Sequence, residues 1–254
     1  MFFSFPALSL LEYLIYIIAA VLPAYILLRY VYRHDTIEKE PTGLLLTLIG
    51  AGCIAALCAA VLESVAGYLL QLILSASSPV YTVLFAFLGI AAVEEGAKLL
   101  FLRLRTWNHP AFNYRFDGIV YSVFVSLGFA ALENVQYVIN YGLSVSLPRA
   151  LMAIPGHMSF AVFMGIWYGR GRLMENLGDH PAANRCILKG YIFAVLLHGF
   201  YDACAMISSG VSSVVFLCFI IVMFYLAFSS LKHASATDAP ITPYDEPEEG
   251  PFEL

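Results

Sequence analysis

Apolar stretches about as long as a bilayer is thick recur along this chain, and no other feature narrows its fold so far. About 20 apolar residues rising 1.5 Å each cross ~30 Å of hydrocarbon. Windows of that length lie at about 13–32, 42–63, 80–102, 117–140, 149–169, 188–208 and 211–231. In lipid every backbone N–H and C=O must find a partner within the segment, so the spans read as helices. The predicted fold is an all-α, polytopic transmembrane bundle of about seven spans. Composition agrees: 12% of the 254 residues are charged, against about 25% in soluble domains.

Residues 1–232 form the predicted membrane domain. From residue 233 the composition changes to Pro240, Pro243, Pro247 and Pro251 interleaved with acids, and such a tail, 233–254, is expected to be disordered. The net charge of −5 owes much to that tail, and nucleic acid is not an expected partner. The five cysteines form no CxxC pair and mostly fall inside spans, which argues against a disulfide framework. The N-terminus lacks the basic region of a signal peptide, so the first helix is expected to be retained. Orientation follows from the basic residues of short loops. Arg29, Arg33 and Lys39 follow span one, Arg103, Arg105 and Arg115 span three, Arg170, Arg172, Arg185 and Lys189 span five, and Lys232 span seven. The opposite side holds Arg149. The N-terminus is therefore expected outside and the C-terminus in the cytoplasm.

Against this background the charges inside spans stand out. Span three contains Glu94-Glu95-Gly96-Ala97-Lys98, and each charge at bilayer depth costs roughly 2.5–3.5 kcal/mol on insertion scales. Glu94 and Lys98 are spaced i,i+4 and share a helix face. Glu95 is turned about 100° away and is expected to lack that relief. Span four carries Glu133, span five His157 and span six His198 and Asp202. With alternating helix direction these residues fall within roughly 12 Å of one another along the membrane normal. Singly each has a bland reading: a structural ion pair, a protonated acid on a carbonyl, a packing histidine. Four consecutive helices presenting acids and histidines at one level need not arise from independent packing residues.

Two imidazoles and a carboxylate make a zinc ligand set with one open position, at which water is acidified and a second carboxylate takes its proton. Glu133, His157 and His198 could be that set with Glu94 as base, Asp202 orienting the His198 ring. A metal-free version, in which Glu94 activates water and the histidines stabilise an oxyanion, fits the same residues. Intramembrane acids and histidines also build the relays of proton- or cation-coupled transporters, and a non-catalytic scaffold is a third reading.

These motifs resemble those of the PrsW family of intramembrane proteases, relatives of the CAAX prenyl endopeptidases. Glu94-Glu95-Gly96-Ala97-Lys98 matches the family's EExxK, Phe129 to Glu133 its FxxxE, His157 lies early in the next helix, and His198 to Asp202 matches the last histidine motif. The likeness spans roughly Leu10 to Lys232. It implies a membrane-embedded peptidase, multi-pass in a bacterial plasma membrane, that cuts single-span membrane proteins such as an anti-sigma factor in a stress response. Carried over by position, Glu94, Glu95, Glu133, His157 and His198 become the catalytic candidates, with Lys98 and Asp202 supporting them and zinc as the implied cofactor.

Overall fold

The computed structural model describes residues 9–241 apart from residue 208. Within them the chain is helical, with no strand beyond an isolated bridge. Helix α1 spans Leu10–His34 and α2 Thr42–Gln71. A third crossing is assembled from α3 (Pro79–Leu84), a π-helical stretch Phe85–Ala91 and α4 (Ala92–Thr106). Helix α5 spans Asp117–Tyr141, and α6 is the single turn Ser146–Pro148. A second π-helical stretch, Arg149–Ala153, leads into α7 (Ile154–Asn176), followed by α8 (His180–Met206) and α9 (Gly210–Ala236). Six of the predicted spans lie in helices long and apolar enough to cross a membrane. The remaining one, around 80–102, is interrupted by the π-helical stretch and carries Glu94, Glu95 and Lys98.

Helix starts follow local chemistry. Ser9 and Glu12 form a reciprocal capping box at α1, which satisfies two amide donors that a helix start would leave open. Asp179 caps α8 by accepting from the Ala182 N–H at 2.9 Å, with Pro181 in the first turn. Pro155 sits likewise at the start of α7, where a missing N–H costs nothing.

Helix α5 is the axis of the bundle. It packs against α1, α2 and α7, and every residue from Asp117 to Ala130 is buried. The close approach rests on small residues, as is common between helices in lipid. A Cβ added at Gly165 of α7 would lie 2.6 Å from the Gly118 carbonyl oxygen of α5, and one at Gly52 of α2 would lie 2.0 Å from the Val125 carbonyl oxygen. Helix α8 closes the other side against α7 and the first π-helical stretch, and α9 lies outside α7 and α8.

The tail predicted to be disordered from residue 233 is ordered through Ile241. Helix α9 continues to Ala236, and the next residues pair with the loop between α4 and α5. The Arg115 N–H donates to the Ala239 carbonyl at 3.0 Å, the Ile241 N–H donates to the Asn113 carbonyl at 2.9 Å, and Ile241 is fully buried. A buried isoleucine and paired backbone groups give this segment an anchor that composition does not reveal. Residues 242–254 lie outside the described residues.

Candidate active site

The charged stretch of span three is a buried cluster built around one ammonium. Lys98 Nζ lies 3.1 Å from Glu94 Oε2 and 2.7 Å from Glu95 Oε1, with the Phe129 ring beneath it at 4.1 Å. All three charged residues are buried. The i,i+4 pairing of Glu94 with Lys98 is as expected; the isolation expected of Glu95 is not found. Lys98 reaches it at i,i+3, and the His198 ring meets it from α8 with Nδ1 2.9 Å from Glu95 Oε1. The other Glu95 oxygen, Oε2, is buried without a hydrogen-bond partner.

The two histidines are fixed on both sides of their rings. Lys98 Nζ lies 3.1 Å from His157 Nδ1. An ammonium can only donate, so Nδ1 accepts and the ring proton sits on Nε2, which donates to Glu133 Oε2 at 3.0 Å. His198 donates from Nδ1 to Glu95, and its Nε2 lies 3.3 Å from Asp202 Oδ2 and 3.9 Å from Glu94 Oε2. The two rings stand edge to face with centroids 5.3 Å apart, and His198 stacks on Phe160. The carboxylate on the nitrogen behind His198 is thus that of Glu95; Asp202, expected in that role, meets the same Nε2 that faces Glu94.

These groups stand in the wall of a cavity of about 950 Å³. Glu94, Glu133, His157, His198 and Asp202 line it, whereas Glu95 and Lys98 lie behind them. All seven residues singled out in the sequence therefore gather in one place, five of them on the cavity surface. Two further residues on that wall escape sequence reasoning. Arg149, expected as a loop charge, turns inward: its Nη2 lies 3.0 Å from Glu133 Oε2, its Nε donates to Asn134 Oδ1 at 2.7 Å, and its guanidinium covers the Tyr137 ring at 3.7 Å. Glu63 reaches the cavity from α2. The available signal was its position inside an apolar run.

The local backbone explains how so many polar groups converge. Both π-helical stretches immediately precede site residues, Phe85–Ala91 before Glu94 and Arg149–Ala153 before His157. Such wide turns recur at functional positions because they re-aim the side chains that follow.

The donor set can hold a metal. Glu94, Glu95, His157 and His198 each offer a ligand atom, all within 4.8 Å of one another. Buried oxygen and imidazole donors suit a divalent cation of the first transition row or zinc. Lys98 already contacts three of these four residues, so its ammonium accounts for the tight grouping on the buried side. On the cavity side Glu133, His157 and His198 share the wall with Glu94.

Comparison with known proteins places these observations in a family. The description "PrsW family intramembrane metalloprotease" matches residues 40–228. A protein named Protease PrsW from Geobacillus kaustophilus is 32% identical over 185 residues, covering 72% of this chain and 76% of the relative. Another Protease PrsW, from Shouchella clausii, is 31% identical over 221 residues, covering 86% of this chain and 96% of the relative. No solved structure matches the chain. The helices, the matched residues and the relatives together make this a multi-pass cell-membrane peptidase, and the chain belongs to the PrsW family of intramembrane metalloproteases.

Proposed function

We propose that the protein hydrolyses a peptide bond of a single-span membrane protein, an anti-sigma factor being the expected kind, toward the outer side of the membrane. Glu94 activates the attacking water. The observation that carries this reading is the division of labour between adjacent acids: Glu94 lines the cavity with Glu133, His157 and His198, while Glu95 is sealed behind them. A general base must reach the water, and an orienting carboxylate must reach the ring that needs orienting.

Glu133, His157 and His198 would hold zinc, whose Lewis acidity acidifies water and polarises a carbonyl. The His198 Nε2 is directed to this side because Nδ1 donates to Glu95. Arg149 holds Glu133 against the cavity wall. Glu94, 3.9 Å from His198 Nε2, takes the water proton and returns it to the leaving amine. Lys98 neutralises the acids behind the site, and for His157 to serve as a ligand its Nε2 would give up the proton it now donates to Glu133. The basic loops put the N-terminus outside and the C-terminus in the cytoplasm, which sets the cavity in the outer half of the bilayer.

The test is co-expression with a tagged single-span anti-sigma factor. Wild type should release a fragment cut on the outer side of the span, and Glu94→Gln should leave the substrate whole at undiminished protein level. Equal processing by both proteins would reject Glu94 as the base.

A further inference from the structure

The proposed mechanism uses one end of the cavity; its long side is α2. Ala56, Ala60, Glu63, Ser64, Gly67 and Gln71 all line it. Their spacing of three to four residues puts them on one face of the helix, and from Ala56 to Gln71 that face runs roughly 22 Å. Small residues at 56, 60, 64 and 67 leave a trough along α2, and Glu63 is the one charge on it.

The carboxylate of Glu63 differs from every other acid in the cavity. Glu94 is paired with Lys98, Glu133 with Arg149 and Asp202 with His198. Among the described residues no hydrogen bond or ion pair reaches Glu63. Its electrostatic neighbours include Glu133, His198, Lys98 and Asp202, so it stands near the reacting groups. Among the described residues the only arginine or lysine on the cavity wall is Arg149, which is committed to Glu133. An acid inside an apolar span without an internal partner is costly to keep, and a cavity of this size admits a partner from outside. A hydrophobic trough interrupted by one acid is shaped for an apolar segment interrupted by one base.

We infer that Glu63 is a specificity-determining residue that receives a lysine or arginine side chain of the substrate segment lying along α2. The inference rests on the protease reading and adds the chemistry of the segment to it. Pairing an unpartnered acid with a basic side chain, and leaving it bare with a neutral one, discriminates strongly because the penalty falls on the wrong substrate.

The probe is a single-span reporter carrying one lysine moved position by position through its outer half, beside the same series in glutamine. With the wild-type protein, lysine at one position and its helical neighbours should raise kcat/KM about 10–100-fold over glutamine. Glu63→Gln should bring that ratio toward one, and Glu63→Lys should move the preference to glutamate. Fluorescence anisotropy of the labelled reporters with purified Glu94→Gln protein, with and without Glu63→Gln, reads binding without turnover. Cleavage of both series at equal rates at every position overturns the role of Glu63 and leaves the peptidase standing. Lysine-dependent binding with no cleavage by wild type counts against the protease reading and not against the subsite. A lysine preference that persists in Glu63→Gln at normal protein level overturns the inference outright.

Discussion

At the scale of single residues, the site separates groups that react from groups that hold them. Glu94→Gln keeps size and removes basicity, so peptide cleavage should fall by at least about 100-fold, the lower range for a general base, with protein level and metal content retained. Lys98→Ala should do the reverse. It strips the partner from Glu94 and Glu95, and breaking a buried pair costs about 3–5 kcal/mol, so the protein should be scarce on an immunoblot. Metal analysis of purified protein should find about one zinc per chain. Chelation should abolish activity and zinc restore it; His157→Ala and His198→Ala should each lose the metal. Glu95→Gln should weaken metal affinity by about 10–100-fold, the usual effect of removing an orienting carboxylate, because Glu95 is the residue on His198 Nδ1. Full activity in metal-free protein would leave the Glu94-activated water with a histidine oxyanion site. Much of this set is legible in sequence, since the cost of charge in lipid flags each acid and histidine. The pairings are less so. An i,i+4 rule finds Glu94 with Lys98 but does not show that a lysine stem also reaches i+3, and a lone arginine beside Pro148 looks like a topology marker until α6 turns it inward toward Glu133.

Between elements, close packing and the junction of the α1–α2 and α4–α5 loops carry the load. Gly165→Ala puts a methyl group 2.6 Å from backbone atoms of Gly118 and Ile119; neither can yield without parting α5 from α7, and overpacking of this kind costs about 1–3 kcal/mol. Gly50→Ala meets nothing within 4 Å, and it should raise stability by about 0.5–1 kcal/mol through helix propensity alone. Thermal unfolding in detergent should separate the two in opposite directions. At that junction, Glu40 accepts from the Tyr121 hydroxyl at 2.6 Å and faces Asp117. Burial pushes its carboxyl up to about 7 and that of Asp35 to about 6, against the pull of Tyr121 on the first and Lys39 on the second. A carboxyl raised in the folded state favours the protonated form. Its contribution is therefore complete below the ordinary value of 4.5 and is lost as pH rises through about 7. Unfolding temperature should fall across that window, and Glu40→Gln should flatten the fall. Sequence patterns miss this junction because residues 238–241 carry an acidic, proline-containing composition while holding backbone bonds to residues 113–115. Composition reports no such partner.

For the whole molecule, topology is the testable quantity. The basic residues are concentrated in the loops after spans one, three, five and seven, so a reporter enzyme fused after Lys232 should be active only in the cytoplasm. Activity on the outer side there would invert the membrane depth assigned to the cavity. The crossings themselves are legible because lipid imposes helices of a fixed length. What the crossings leave open is whether intramembrane acids serve hydrolysis or ion coupling. Membership of a protease family settles that choice, since proton relays and peptidases draw on the same side chains.

The wide turns at Phe85–Ala91 and Arg149–Ala153 have a further consequence for how such a chain changes length. A π turn holds one residue more than the α turn it replaces, so each is a place where the chain can lose a residue without ending a helix. If one residue between 85 and 91 were deleted, one α turn would replace one π turn over the same full rotation, and the upstream part would keep its facing relative to Glu94. Tyr81, on the cavity wall and bonded to Gln71, would keep its place along with the acids. The same deletion inside α5 would rotate a helix buried on nearly every side and break its contacts with three neighbours. One-residue insertions and deletions among relatives should therefore collect at these two turns and spare α5, a pattern that aligned sequences can show directly.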